Sequence, residues 1–362
     1  MKSKLSDFCS FANGRVSVTD LDLDTYISTE NMLPNKEGIT RSAGLPAITQ
    51  TQAYQADDVL ISNIRPYFRK IWLADKNGGC SNDVLVLRAN EDVYPAYLYY
   101  LLSENSFFEY ATVTAKGTKM PRGDKSAIMR YEVPVLPYNL QVAIADTLAA
   151  LDAKIANNIK INYHLEQMAQ AIFKSWFVDY EPWGGAMPDD WQERTFANIA
   201  NIVSGKRPAH RQADCAPGFE VPLLGASSIM GFTNAILYNE KILVIGRVGT
   251  HGVIQRYSRP CWASDNTLII TSKYYEFVYQ NLYRVNFYNI NRGSTQPLIT
   301  QSDLKNIPIH LPDEASLCQF EKLAGSLMVM HENNIIENER LIETRNTLLP
   351  RLLSGELPPP VG

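Results

Sequence analysis

The side chains best placed to do chemistry in this chain are cations and amides of the kind that hold an anionic polymer. Between Ala111 and Arg130 lie Lys116, Lys119, Arg122, Lys125 and Arg130, opposed by Asp124 alone, with Gly117 and Gly123 allowing a backbone to come close. Lys206, Arg207, His210 and Arg211 follow Gly205, and Arg15 follows Gly14. A later stretch carries Arg292, Ser294, Thr295 and Gln296, which is less charged but rich in donors. Arg and Lys contact phosphates and guanine edges while Asn and Gln pair with adenine, so such loops suit duplex DNA. Taken alone, a basic cluster is more often a solvated face. The net charge of -4 speaks mildly against a nucleic-acid binder, although the field that matters is local.

Catalytic signatures are missing from the letters. There is no G-x-x-x-x-G-K-[ST], G-x-G-x-x-G, H-E-x-x-H or G-x-S-x-G, and no Asp/Asn-Pro-Pro-aromatic tetrapeptide of the amino-methyltransferase type. His164, His210, His251, His310 and His331 have no metal-ligand spacing, which leaves them structural or surface roles. Asp20, Asp22 and Asp24 lack the turn glycine and distal Glu of a calcium loop and are expected on a solvated strand edge. Cys9, Cys80, Cys215, Cys261 and Cys318 form no C-x-x-C and are expected as small buried hydrophobes in a reducing compartment. No apolar run approaches the roughly 20 residues of a membrane span, so the expected compartment is the cytoplasm. The chain should bind without catalysing.

The elements that must position these loops come as a repeat. At 362 residues the chain exceeds one core, and two halves share an order of landmarks. An apolar strand, an Arg turn, a second strand and a Ser-Asn/Asp step occur after Asp57 and again after Glu240, with Arg65 falling opposite Arg247. Gly117-Thr-Lys-Met-Pro121 faces Gly293-Ser-Thr-Gln-Pro297, and Pro134-Val-Leu-Pro137 faces Pro308-Ile-His-Leu-Pro312. Identical arginines at equivalent places suit phosphate positioning or an ion pair; loops that differ suit the reading of different sequences. Val59–Ser62, Val84–Leu87, Ile242–Ile245 and Thr267–Ile270 read as short strands, and a helix is expected after Tyr94 and again around Tyr274 to Tyr288.

Each half is followed by a helical pattern too long for its own core. From Leu140 to Phe177 the seam Ile144, Leu148, Leu151, Ile155, Asn158, Asn162, Leu165, Ala169, Ile172, Trp176 keeps 4-3 spacing. A helix of that length spans about 57 Å. The second seam, Phe320, Leu323, Leu327, Met330, Asn334, Glu337, Leu341, Thr344, Leu348, opens with a capping box at Ser316-x-x-Gln319. Antiparallel pairing would bring Asn158 and Asn162 against Asn334 and Glu337, polar residues that fix register. The expected class is α+β: two repeated β-rich domains separated by two long antiparallel coiled-coil helices. The segments are 1–139, a helix and linker at 140–185, 186–315, a second helix at 316–357 and a tail at 358–362.

This layout resembles the specificity (S) subunit of type I restriction-modification enzymes over essentially the whole chain. The resemblance is carried by Leu151-Asp-Ala-Lys-Ile-Ala-Asn-Asn-Ile-Lys-Ile-Asn162 with Ala171-Ile-Phe-Lys-Ser-Trp-Phe177, by Asn338-x-x-Leu341 with Leu348-Leu-Pro-Arg-Leu-Leu-Ser-Gly-Glu-Leu357, and by Tyr26-Ile-Ser-Thr-Glu-Asn31. It implies a non-catalytic subunit whose two target-recognition domains each read half of a bipartite double-stranded DNA site. The helices would space the halves and dock two methyltransferase (M) subunits, with motor/nuclease (R) subunits joining for restriction. S-adenosylmethionine, ATP and Mg would belong to those partners and no cofactor to this chain. The alternative is a tandem β-rich scaffold or carbohydrate-binding protein that dimerises through its helices, with surface aromatics lining grooves and no salt-dependent DNA binding. A nuclease or methyltransferase with unrecognised motifs is disfavoured by the absent signatures.

Overall fold

The computed structural model describes residues 2–248, 252–287, 289 and 298–358. The chain divides into two compact units, residues 1–158 with 336–362 and residues 159–335. Each unit joins one α+β region to part of both long helices, whereas the linear segments set the helices apart from the domains.

In the first unit, strands Cys9–Phe11, Val84–Ala89, Val59–Ser62 and Ile71–Leu73 form one four-stranded sheet in that spatial order. A second sheet runs Arg15–Ser17, Gln50–Tyr54, Gly78–Cys80, Tyr26–Ile27, its last pair parallel. The central strands are continuous apolar runs because both faces are covered, and the two-residue period splits their side chains between two cores. Val59, Ile61, Leu85 and Leu87 face Tyr97, Leu98, Phe107 and Phe108 of the helices Pro95–Ser103 and Asn105–Val113. Leu60, Val84 and Val86 face Ile27, Tyr54 and Cys80 of the other sheet and Met32 beyond its last strand.

The second unit repeats this plan. Asn201–Ser204, Thr267–Thr271, Ile242–Gly246 and Ile254–Tyr257 form the four-stranded sheet in the same order. Leu243, Ile245, Leu268 and Ile270 pack on the helix Tyr275–Tyr283, while Ile242, Val244 and Ile269 pack on Leu224, Cys261 and Ala263. The second sheet diverges: it has three strands, Ile229–Thr233, Val221–Leu224 and Trp262–Ala263, and keeps the parallel step. An antiparallel ribbon closes each region, Lys2–Lys4 with Glu132–Pro134 and Gln192–Thr195 with Pro308–Leu311.

The long helices run Tyr138–Phe177 and Glu314–Leu353. Within the first unit Ile144, Ala145 and Leu148 meet the helix-side core together with Leu349, Leu352 and Leu353. Within the second, Leu165, Ala169, Phe173 and Phe177 meet Leu317, Phe320, Ala324 and Met328. Phe177 lies 5.0 Å from Phe277 and 5.1 Å from Phe320, ring centre to ring centre, so the aromatic end of the first helix is anchored in the second core. Buried aromatic pairs of this geometry add about 0.5–1.5 kcal/mol each to the area they bury.

Several sequence expectations are corrected. The second helix is capped by Asp313, whose carboxylate accepts from the Ser316 backbone N–H at 2.9 Å and the Ser316 hydroxyl at 2.5 Å; Ser316 is inside the helix rather than at its cap. Leu323, Met330 and Thr344 of the second seam point to solvent, because Leu317, Ala324 and Met328 turn inward instead. Asp22 closes a turn by accepting from the backbone N–H groups of Asp24 and Thr25, so the acidic stretch is no strand edge. Cys9, Cys80 and Cys261 are buried, but Cys215 and Cys318 are exposed.

Candidate nucleic-acid interface

The basic loop of the first unit is built on the hairpin that follows strand Val59–Ser62. Ile64 and Arg122 pair as an isolated antiparallel bridge, and Lys116 and Arg122 form another. The Gly123 N–H donates to the Asn63 carbonyl at 3.0 Å, and the Arg65 N–H to the Pro121 carbonyl at 2.8 Å. Gly117 has φ +97°, which favours glycine, and a Cβ on Gly123 would come 2.9 Å from Asn63 Oδ1, so that side chain would have to shift to admit one. The loop is therefore held at both ends against the hairpin while its tip, Thr118 to Met120, stays exposed.

The cations of this loop are not equivalent. Lys116 pairs with Asp124 at 2.5 Å and Arg122 with Asp83 at 3.0 Å. Asp124 also caps the turn of helix Lys125–Ile128 through the Ser126 and Ala127 N–H groups. The hydrogen bond from Lys116 and those from the backbone hold its carboxyl below the usual range. Lys119 is exposed and forms no ion pair among the described residues. Lys125 stands 5.4 Å above the Phe11 ring and lines one cleft with Arg15, Gly14, Gln52 and Asn82. The structure thus gathers Arg15 with Lys125, and Arg65 with Lys116 and Arg122.

In the second unit Lys206 and Arg207 are exposed, and the Lys206 backbone is fixed by Trp262, whose indole N–H donates to its carbonyl at 2.6 Å. Val248 pairs with Leu298 as Ile64 does with Arg122, so the same hairpin and following loop meet in both units. The strand register, however, places Arg247 opposite Asn63 and not Arg65. Ser62 pairs with Val84 and Gly246 with Thr267, and the next residue donates its N–H to the Asp83 carbonyl in one unit and the Asn266 carbonyl in the other, each at 2.8 Å. The two arginines are offset by two residues, and the argument from their identity falls. Arg292, Ser294, Thr295 and Gln296 lie outside the described residues.

Polar groups join the long helices inside each unit. In the first, Asn158, fully buried, donates to Glu337 Oε2 at 2.7 Å and to Asn338 Oδ1 at 2.9 Å. Lys154 pairs with Glu337 at 3.0 Å and Asp152 with Arg345 at 2.5 Å. Partner numbers fall as the first helix advances, so the helices are antiparallel. In the second unit Asn334 donates to Asn162 Oδ1 at 2.8 Å, Asn162 to the His331 carbonyl at 3.1 Å, and His331 Nε2 lies 3.0 Å from Glu166. The hydrogen bond from His331 holds Glu166 below the usual carboxylate range. The sequence reading gives no helix-pairing role to Asn338, Asp152, Arg345, Glu166 or His331, although charges flanking an Asn-bearing seam are the signal for them.

Comparison with known proteins bears on this duplicated frame. The family model for the type I restriction modification DNA specificity domain matches residues 1–167 and again 188–339. The chain belongs to that family. Each match runs from the start of one α+β region into the long helix that follows it. Among specificity-domain relatives, the chain is 24% identical over 431 aligned positions to the type I restriction enzyme HindI specificity subunit of Haemophilus influenzae, covering 92% of this chain and 94% of the relative. It is 26% identical over 305 positions to the MjaIX specificity subunit of Methanocaldococcus jannaschii, covering 74% and 70%. A crystal structure of the type I restriction-modification S subunit from M. genitalium has the same fold, with a TM-score of 0.61 at 18% identity over 98% of this chain and 96% of that one. Among the described residues of this specificity-domain protein, no helix is long and apolar enough to cross a membrane.

Proposed function

We propose that this chain is the DNA-specificity subunit of a type I restriction-modification complex. Each α+β region reads one half of a bipartite duplex target, and the paired helices set the distance between the halves and hold two methyltransferase subunits. The observation that carries this is the family match made twice in one chain, each copy ending in a long helix. The loop surfaces support it, since Lys119, Lys206 and Arg207 are exposed and the loop that carries Lys119 differs in sequence from its counterpart Gly293-Ser-Thr-Gln-Pro297. Chemistry is then supplied by partners: S-adenosylmethionine at the methyltransferase subunits, ATP and Mg at the motor/nuclease subunits. Two half-sites of different sequence follow from two loops of different side chains.

The test is duplex binding by the chain together with the subunits that copurify with it, measured over a range of salt. A slope of log K against log salt of several units is expected. Binding that ignores salt, or methyl transfer by the chain alone, overturns the proposal.

A further inference from the structure

We propose that the turn Arg65–Lys70 is a DNA-contacting element of the first unit, with Tyr67 and Phe68 against bases of one half-site and Lys36, Arg65, Arg69 and Lys70 on flanking phosphates. This rests on the DNA-specificity function and adds to it a surface centred beside, rather than within, the basic loop.

The turn presents apolar surface at a fixed angle. Tyr67 is 48% and Phe68 37% exposed, their rings edge to face at 4.8 Å, at the tip of the hairpin between strands Val59–Ser62 and Ile71–Leu73. Arg65 at φ 50° and Arg69 at φ 53° bracket the 3-10 turn Pro66–Phe68, a left-handed conformation that non-glycine residues hold only where the surroundings dictate it. Those surroundings are visible: the Arg65 N–H bonds the Pro121 carbonyl at 2.8 Å and the Lys36 N–H the Arg69 carbonyl at 2.9 Å. Lys36 and its neighbour Asn35 also have positive φ.

Among the described residues the charges around the tip form no ion pair. Lys36 Nζ and Arg69 Nη1 both donate to one neutral acceptor, Asn105 Oδ1, at 2.9 and 3.2 Å. Lys70 Nζ donates to the Thr29 carbonyl at 2.6 Å. The Arg65 guanidinium and Lys70 Nζ stand 6.0 and 5.9 Å from the centre of the Phe68 ring, and Arg65 Nε is buried with no hydrogen-bond partner among the described residues. Glu30 and Glu104 act on Lys70 and Lys36 from beyond ion-pair distance. Lys116 and Arg122, by contrast, already have Asp124 and Asp83. Burial, with Arg345 and Arg69 near, holds the Lys36 ammonium down to about 8, which marks a cation short of an anion. A run of phosphates would supply several at once, and exposed aromatic rings suit apolar contact with base edges such as the thymine methyl in a duplex groove.

The experiment uses the full chain in its copurified complex and a fluorescein-labelled duplex of its mapped methylation motif, with each half-site also scrambled separately. The double variant K36Q/R69Q should weaken binding on every duplex and lower the salt slope by about two units. Y67A/F68A should keep the slope, lose about tenfold on the intact motif, and lose little once one particular half-site is scrambled. Tyr67 and Phe68 are exposed while Lys36 and Arg69 are half-buried, and unchanged melting temperatures confirm folding. Wild-type affinity and slope in both variants overturns the inference alone; a wild-type complex that binds no duplex overturns the function on which it rests.

Discussion

Glu321, on the second long helix, reaches across to the helix Tyr275–Tyr283 and accepts from the backbone N–H groups of Glu276 at 3.1 Å and Phe277 at 2.8 Å. Those hydrogen bonds favour the carboxylate, but burial and the nearby Glu276 oppose it, and burial wins: the carboxyl is pushed up from 4.5 to about 7. Because its folded value lies above its unfolded one, the folded chain keeps a proton through that window which the unfolded chain has released. Stability from this group is therefore full below pH 4.5 and lost as pH rises to about 7. At about 1.4 kcal/mol per pH unit the loss amounts to about 3 kcal/mol. Gln at this position keeps one acceptor and no titration. Melting curves of wild type and E321Q between pH 5 and 8 should show the wild-type melting temperature falling against the variant's by about 6–10 °C. A difference that stays constant with pH would refute the reasoning, since titrating groups other than the coupled neighbour Glu276 cancel in the comparison.

Replacing Asn158 by Ala removes three hydrogen bonds, one from Lys154, one to the Glu337 carboxylate and one to Asn338 Oδ1, which is left stranded; a loss of about 2 kcal/mol and a melting temperature lower by about 5 °C are expected by calorimetry. Deleting one heptad from each long helix in register shortens them by about 10 Å, which is about three base pairs at about 3.4 Å each, and methylome sequencing should find the gap shortened with both half-sites intact. Lys119→Ala, at an exposed cation with no ion pair among the described residues, should weaken binding to all duplexes and lower the salt slope by about one unit in fluorescence titrations; loss confined to one half-site would instead assign it a base edge.

The strands were legible because both of their faces are buried, which writes Val59–Ser62 and Ile242–Gly246 as unbroken apolar letters. The first helix seam is legible through Ile144 and Leu148 to Asn158 and Asn162 because those larger side chains turn inward, while the small Ala145, equally buried, is passed over. The second seam was misread where Ala324 turns inward and Leu323 outward, since a heptad drawn through the largest apolar residues passes over a small one. Arg65 and Arg247 were matched as the first arginine after a strand, and only the ladder to Val84 and Thr267 reveals the two-residue offset. The pairing of Lys36 with Arg69 on Asn105 could not be read at all, because it joins three segments distant in sequence through long-range packing.

The central claim is that one chain reads two different half-sites at a set distance, and methylome sequencing of cells carrying this chain with the methyltransferase subunits proposed for it tests it most directly. The account predicts methylation at a single bipartite motif, two unlike half-sites with a constant gap, and loss of one half-site alone when residues 188–312 are replaced by those of another family member. Methylation at one continuous motif, or a pattern unchanged by that replacement, would contradict it.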